Sequence, residues 1–179
     1  HDSLGAYKVH EARAVGAELD RLPNIGWWED AVLPEDIAGF AELKGALKTP
    51  ICAGEEVSNR FQFRDLLAAR AADILNPDVC RAGGVTECRK IAILADAHGV
   101  LWSPHVSSGT ALYLAASTHL AVHTPNAVII EGGTLLERPF GTELLREPLE
   151  WAPGEVRVPE RPGIGVAFDE RALARYRVG

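Results

Sequence analysis

The sequence predicts an α/β fold of the (β/α)8 TIM-barrel type, present only in part. Short apolar runs alternate with helical stretches from residue 8 to residue 131, the pattern of a parallel sheet with helices outside. A titratable residue closes each apolar run in turn: Asp2, Glu29, Glu55, Asp78, His105 and Glu131. Their separations are 23 to 27 residues, against roughly 30 per unit in a barrel of ~250 residues. Six strands cannot close an eight-stranded barrel, and an open edge is prone to aggregation.

The elements follow from local pattern. Lys8 to Leu22 repeats apolar residues at Val9, Ala12, Val15 and Leu19, a helical period that Pro23-Asn24 breaks. Ile25 to Trp28 reads as a buried strand ending at Glu29. Asp36 to Lys48 is helical, with Asp36 as N-cap and acids expected in the first turn. Pro50 to Ala53 is the next strand, ending in Gly54-Glu55. A helix over Asn59 to Ala72 leads to the Asp73–Pro77 strand, and Gly83-Gly84 opens a helix over Thr86 to His98. The Val100–Ser103 strand, an Ala-rich helix from about Gly109 to Val122 and the strand Ala127–Ile130 complete the series. After Glu131 the chain becomes rich in Pro and Gly. A strand pair over Trp151 to Val158 and a terminal helix over Ala167 to Tyr176 are expected there. The division is therefore a partial barrel domain over 1–135 and a tail over 136–179.

Composition narrows the class. With 47% hydrophobic and 24% charged residues, the chain is an ordinary globular protein. A net charge of −7 without any Lys/Arg run argues against a nucleic-acid partner. No apolar segment approaches the ~20 residues of a membrane span. Cys52, Cys80 and Cys88 lack metal-finger spacing, so reduced thiols and a cytoplasmic setting are expected. The chain begins His1-Asp2-Ser3 and contains no Met, which reads as the carboxyl-terminal part of a longer protein.

In parallel α/β folds chemistry sits at the carboxyl ends of strands. Asp2, Glu29 and Glu55 close three consecutive strands and converge on one side of the mouth. Like charges so placed are costly without a cation, and hard oxygen ligands suit Mg²⁺. Taken singly, Asp2 also reads as a solvated terminal acid, Glu29 as the partner of a Lys, and Glu55-Glu56 as a helix-start acid pair. On the next two strands Asp78 and His105 come within hydrogen-bonding reach. An acid beside an imidazole fixes its tautomer and raises its basicity. Alone, Asp78 could instead cap the Gly83-Gly84 turn, and His105 could be a core histidine. Arg81 is placed to pair with a carboxylate at the same strand end.

Trp28-Glu29-Asp30, Gly54-Glu55, Pro77-Asp78 with Ala82-Gly83-Gly84-Val85-Thr86, Ser103-Pro104-His105, Glu131 and the late Pro162-Gly163-Ile164-Gly165 together resemble the enolase superfamily. The likeness is to its mandelate racemase-like group. One departure is Ala31, where that group usually has Pro after two acids. The resemblance implies that strands 3 to 8 of the barrel are present. An absent amino-terminal part would hold an α+β capping domain, the first two strands and a Lys-x-Lys base. It also implies that Asp2, Glu29 and Glu55 bind Mg²⁺, that His105 and Asp78 form a proton-transfer dyad, and that Glu131 hydrogen-bonds the substrate carboxylate.

The function expected on this basis is Mg²⁺-dependent abstraction of a proton α to a carboxylate, through an enediolate. Dehydration of an acid sugar to a 2-keto-3-deoxy acid is the leading outcome, and racemisation or epimerisation of a 2-hydroxy acid is the alternative. A non-catalytic fragment or interaction module, and an unrelated metal-dependent barrel such as an aldolase, are the rivals from other classes. A closed homo-oligomer is the default for such barrels.

Overall fold

A computed structural model describes residues 1–132, 135, 141 and 143–178. Among them no helix is long and apolar enough to cross a membrane.

The alternation is realised in order. Helix α1 (Val9–Leu19) precedes strand β1 (Trp28–Glu29), α2 (Ile37–Ala46), β2 (Ile51–Ala53), α3 (Arg60–Ala68) and β3 (Ile74–Leu75). Helix α4 (Val85–Ala97), β4 (Leu101–Trp102) and α5 (Ala111–His123) follow. The four strands form one sheet in the order β1-β2-β3-β4, every pair parallel. A parallel bridge from Asp2 to Glu29 extends the sheet at one end, and a parallel bridge from Trp102 to Ala127 extends it at the other. Six parallel rungs therefore lie side by side in chain order. They form the carboxyl-terminal portion of a TIM-type barrel.

The strands are shorter than the apolar runs that forecast them. The run Ala127–Ile130 contributes a single bridge rather than a strand. Val128 donates to the Trp102 carbonyl at 2.9 Å and Ser103 Oγ donates to the Ile129 carbonyl at 3.2 Å. Val128 and Ile129 are half exposed, as befits an outer rung with no described strand on its far side. Asp36 caps α2, accepting the Gly39 N–H at 2.8 Å, but the expected acids in that first turn are absent. The helix starts at Ile37, which leaves Glu35 outside it and Glu42 beyond the first turn.

Beneath the polar strand ends lies a continuous apolar core. Trp28, Trp102, Phe40, Phe63, Leu43, Ile51 and Ile91 are fully buried in it. Gly54 shows how closely core and rim meet. Its φ is +139°, and a Cβ there would lie 2.7 Å from the Phe63 ring, so the turn that presents Glu55 rests directly on Phe63.

In the tail, β5 (Trp151–Ala152) and β6 (Glu155–Val156) form the expected antiparallel pair. Helix α6 (Glu170–Tyr176) is capped by Asp169, which accepts the Arg171 N–H at 2.8 Å. An antiparallel bridge joins Leu145 to Phe168. The expected junction between barrel and tail, at 135 and 136, falls where most residues lie outside those described.

Replacing Phe63 by Ala should remove the support under the Gly54-Glu55 turn. A loss of about 3–5 kcal/mol is expected for deleting a fully buried Phe, read as a lower urea midpoint with unchanged slope. A midpoint within error of the parent would show that the ring is not needed there.

Candidate active site

The six strand-end residues meet on one rim. One ligand atom from each of Asp2, Glu29 and Glu55 lies within 4.8 Å of the other two. Glu29 and Glu55 are buried and Asp2 is exposed. The parallel register produces this: Asp2 bridges Glu29 directly, and Glu29 aligns with Cys52 on β2, three residues before Glu55. Glu29 does not pair with a Lys. Its Oε1 accepts from Asn76 Nδ2 at 2.7 Å and its Oε2 from Trp27 Nε1 at 3.0 Å. Among the described residues no Lys or Arg side chain pairs with any of the three carboxylates, and the ion-pair partner of Glu55 is His105.

The dyad is also formed. His105 Nδ1 lies 2.8 Å from Asp78 Oδ2, and both side chains are buried. The opposite ring nitrogen, Nε2, is 3.2 Å from Glu55 Oε2 and 3.9 Å from Glu131 Oε2. Asp78 does not cap the Gly83-Gly84 turn: its other oxygen, Oδ1, accepts the N–H groups of Cys80 at 2.6 Å and Arg81 at 3.2 Å, while the Gly84 N–H goes to the Val79 carbonyl. The Arg81 side chain pairs with Glu56, not with a strand-end acid. Glu131 is half-buried, and its Oε2 accepts the Val106 N–H at 2.9 Å.

The electrostatics divide the rim. Burial raises the Asp78 carboxyl, but hydrogen bonds from His105, Tyr113 and the Cys80 N–H outweigh it, so Asp78 is held below the usual carboxylate range. Burial pushes Glu55 up to about 7; His105 opposes this, while Glu29, Asp2 and Glu131 add to it. Burial also raises Asp30, with the charges of Glu55, Glu29 and Asp2 behind it, to about 8. Burial and the neighbouring acids raise Glu131 against the Val106 N–H bond. For His105, burial lowers basicity, yet the Asp78 hydrogen bond and the charges of Glu55 and Glu131 prevail and raise it.

Four participants were not forecast from the sequence: Trp27, Asp30, Asn76 and Tyr113. The Tyr113 hydroxyl touches Asp78 Oδ2 and lies 2.9 Å from the His105 carbonyl oxygen. Trp27 and Tyr113 close no strand, and Asp30 and Asn76, which directly follow β1 and β3, fall outside the series of residues spaced 23 to 27 apart. Burial was the missing signal for Asp30, which is 3% exposed.

A partial parallel barrel whose mouth carries three converging carboxylates facing an Asp-His pair has the donor set to hold a hard cation beside a hydrogen-bonded imidazole. The family described as enolase C-terminal domain-like matches residues 1–172, and the chain belongs to it. D-galactarolactone cycloisomerase of Agrobacterium fabrum (strain C58) is 37% identical over an alignment of 186 positions that covers 99% of this chain and 48% of that protein. D-galactonate dehydratase of Ralstonia pickettii (strain 12J) is 39% identical over 174 residues, covering 94% of this chain and 45% of its own. The crystal structure of L-talarate dehydratase from Polaromonas sp. JS666, complexed with Mg and L-glucarate, superposes with a TM-score of 0.82. It is 30% identical and covers 97% of this chain and 45% of its own. The chain thus spans about half the length of the curated relatives it matches.

The raised carboxyls fix the sign of a pH effect in metal-free protein. A group whose folded pKa lies above its unfolded value stabilises fully below the unfolded value and ceases to do so as pH rises through the folded one. Unfolded Asp and Glu titrate near about 4, and Asp30 and Glu55 titrate at about 8 and about 7 when folded. The melting temperature with EDTA present should therefore fall between pH 5 and pH 8, and the double substitution Asp30→Asn, Glu55→Gln should flatten the slope. An unchanged slope in that variant would remove these two groups as its cause.

Proposed function

We propose that this chain carries the metal-binding and proton-transfer part of a Mg²⁺-dependent enzyme that takes the proton α to a carboxylate and dehydrates an acid sugar to a 2-keto-3-deoxy acid. The observation that carries the reading is the facing of the two halves. His105 is anchored by Asp78 at 2.8 Å on one nitrogen and points the other at the carboxylate cluster, 3.2 Å from Glu55. An all-oxygen cluster with no Arg or Lys partner among the described residues fits a hard divalent cation. Asp2, Glu29 and Glu55 would hold it. When bound there, Mg²⁺ supplies Lewis-acid stabilisation of the charge that develops on the substrate carboxylate.

The remaining work falls to side chains of this chain. Asp78 keeps Nδ1 of His105 as a donor, so Nε2 is the atom that takes or gives the proton. His105 either removes the α-proton or, once protonated, gives a proton to the departing β-hydroxyl. Glu131, raised by burial and by its acidic neighbours, is suited to donate a hydrogen bond to the substrate carboxylate as an enediolate forms. Asn76 and Trp27 orient Glu29 from behind, as groups around metal ligands commonly do. The strands that close the mouth would come from a further segment of the same enzyme, since its relatives are about twice as long. A homo-oligomer is the expected assembly.

A second reading shares the first chemical step. The similarity to a galactarolactone cycloisomerase favours an outcome in which a lactone of the acid sugar is isomerised with no loss of water.

Two tests apply. In protein completed by the rest of the barrel, His105→Asn should reduce exchange of the substrate α-proton with deuterium by at least about 100-fold, the usual worth of a general base. Unchanged exchange would sink the dyad. A panel of acid sugars and their lactones assayed with Mg²⁺ separates dehydration from cycloisomerisation, and no turnover of any of them would overturn the enzyme reading. Mg²⁺ at about 100 times its dissociation constant should stabilise the chain by about 2.7 kcal/mol at pH 8. It should do so far less at pH 5, where protons occupy Glu55. Glu29→Gln should abolish the gain, and an equal gain in that variant would place the ion elsewhere.

A further inference from the structure

The proposed chemistry leaves Tyr113 without a task, although it is buried against the dyad. It stands in the first turn of α5 and is 6% exposed. Its hydroxyl contacts Asp78 Oδ2 and lies 2.9 Å from the His105 carbonyl oxygen and 3.3 Å from His105 Nδ1. A hydroxyl has one proton to give. The two oxygens within its reach are Asp78 Oδ2 and the His105 carbonyl, and the charged one is Asp78. Hydrogen bonds to a carboxylate are about twice as strong as neutral ones. Burial and the adjacent charge of Asp78 keep the phenol protonated, so Tyr113 serves as a donor throughout.

Asp78 is thereby held at both oxygens. Oδ1 accepts two backbone N–H groups of its own loop. Oδ2 accepts from His105 and Tyr113. Without the phenol, His105 alone would fix Oδ2, and the dyad would lose its tether to α5. The fold makes room for the ring: a Cβ at Gly109 would lie 2.6 Å from Tyr113 Cδ1. Gly109 does not have a left-handed φ, so space rather than backbone freedom calls for glycine there.

We propose that Tyr113 is a positioning residue whose hydroxyl clamps Asp78 Oδ2, so that Asp78 in turn holds Nδ1 of His105 and keeps Nε2 aimed at the carboxylate mouth. The proposal rests on the dyad reading above. It predicts that the His105 Nδ1 proton is protected in the folded chain.

The test is proton NMR of the ¹⁵N-labelled full chain, with His105→Asn used to assign the Nδ1–H signal. Tyr113→Phe should raise the rate at which that proton exchanges with water by about tenfold, the scale of one hydrogen bond to a charged group. Gly109→Ala keeps the phenol but pushes the ring from its seat, and should shift the rate in the same direction. In the completed enzyme Tyr113→Phe should lower kcat by about tenfold with KM within about twofold, as expected when only an orienting contact is lost. An exchange rate equal to that of the parent chain in Tyr113→Phe overturns the proposal, even if the melting temperature falls, because Tyr113 would then only fill space. If the completed parent enzyme shows no turnover, the proposed reaction fails, while the NMR measurement still decides the role of Tyr113.

Discussion

Repulsion among the carboxyls of Asp2, Glu29, Asp30 and Glu55 is the constraint around which the molecule is arranged. Neighbouring parallel strands are only about 4.8 Å apart, so a register that ends three of them in acids forces those acids together. The cost of burying and crowding them shows in Glu55 and Asp30, which burial first and the neighbouring acids second raise to about 7 and about 8. Something must oppose it, and the strands below the rim are apolar without interruption. Ile51, Cys52 and Ala53 are all buried, as are Trp28 and Trp102. Burial of that surface supplies the favourable term that lets an unfavourable cluster persist at its edge.

The same rim is asymmetric in a way that matters for proton transfer. Asp78 receives four donors, two from its own loop and one each from His105 and Tyr113, so its charge is comfortable. Glu131 receives one backbone N–H, and Glu55 faces an imidazole across a crowd of acids. Environments that push titratable groups in opposite directions are the mark of assigned acid and base roles. His105 sits on the boundary between the two, with Asp78 on one ring nitrogen and Glu55 on the other.

Much of this was legible in the sequence, because the barrel writes its geometry as a period. A polar residue every 23 to 27 positions located six side chains on one rim before any contact was known. Helix caps were equally readable: Asp36 carries its own chemistry and needs no distant partner. What escaped was of two kinds. Tyr113, Asn76 and Trp27 act through partners that are 35, 47 and 2 residues away in sequence. A period of strand ends does not test such pairings. The run Ala127–Ile130 failed as a regular strand for the opposite reason. Its composition favours a strand, but a rung is completed by what pairs with it, and only one side of this one is paired among the described residues.

Asp78 serves a turn of its own loop and His105 at once. As a turn former it uses Oδ1, and as the partner of His105 it uses Oδ2, so the loop and the dyad are set by a single carboxylate. That loop is not independent of the carboxylate cluster. Arg81, whose N–H lies on Oδ1, sends its guanidinium to Glu56 and to within 3.5 Å of the Glu55 carbonyl oxygen. An exposed ion pair of this kind contributes less than about 1 kcal/mol to stability, and its value here is geometric. It ties the turn that carries Asp78 to the turn that carries Glu55. The separation between the two halves of the site is therefore governed by the 55–56 and 78–81 loops as well as by the strands beneath them.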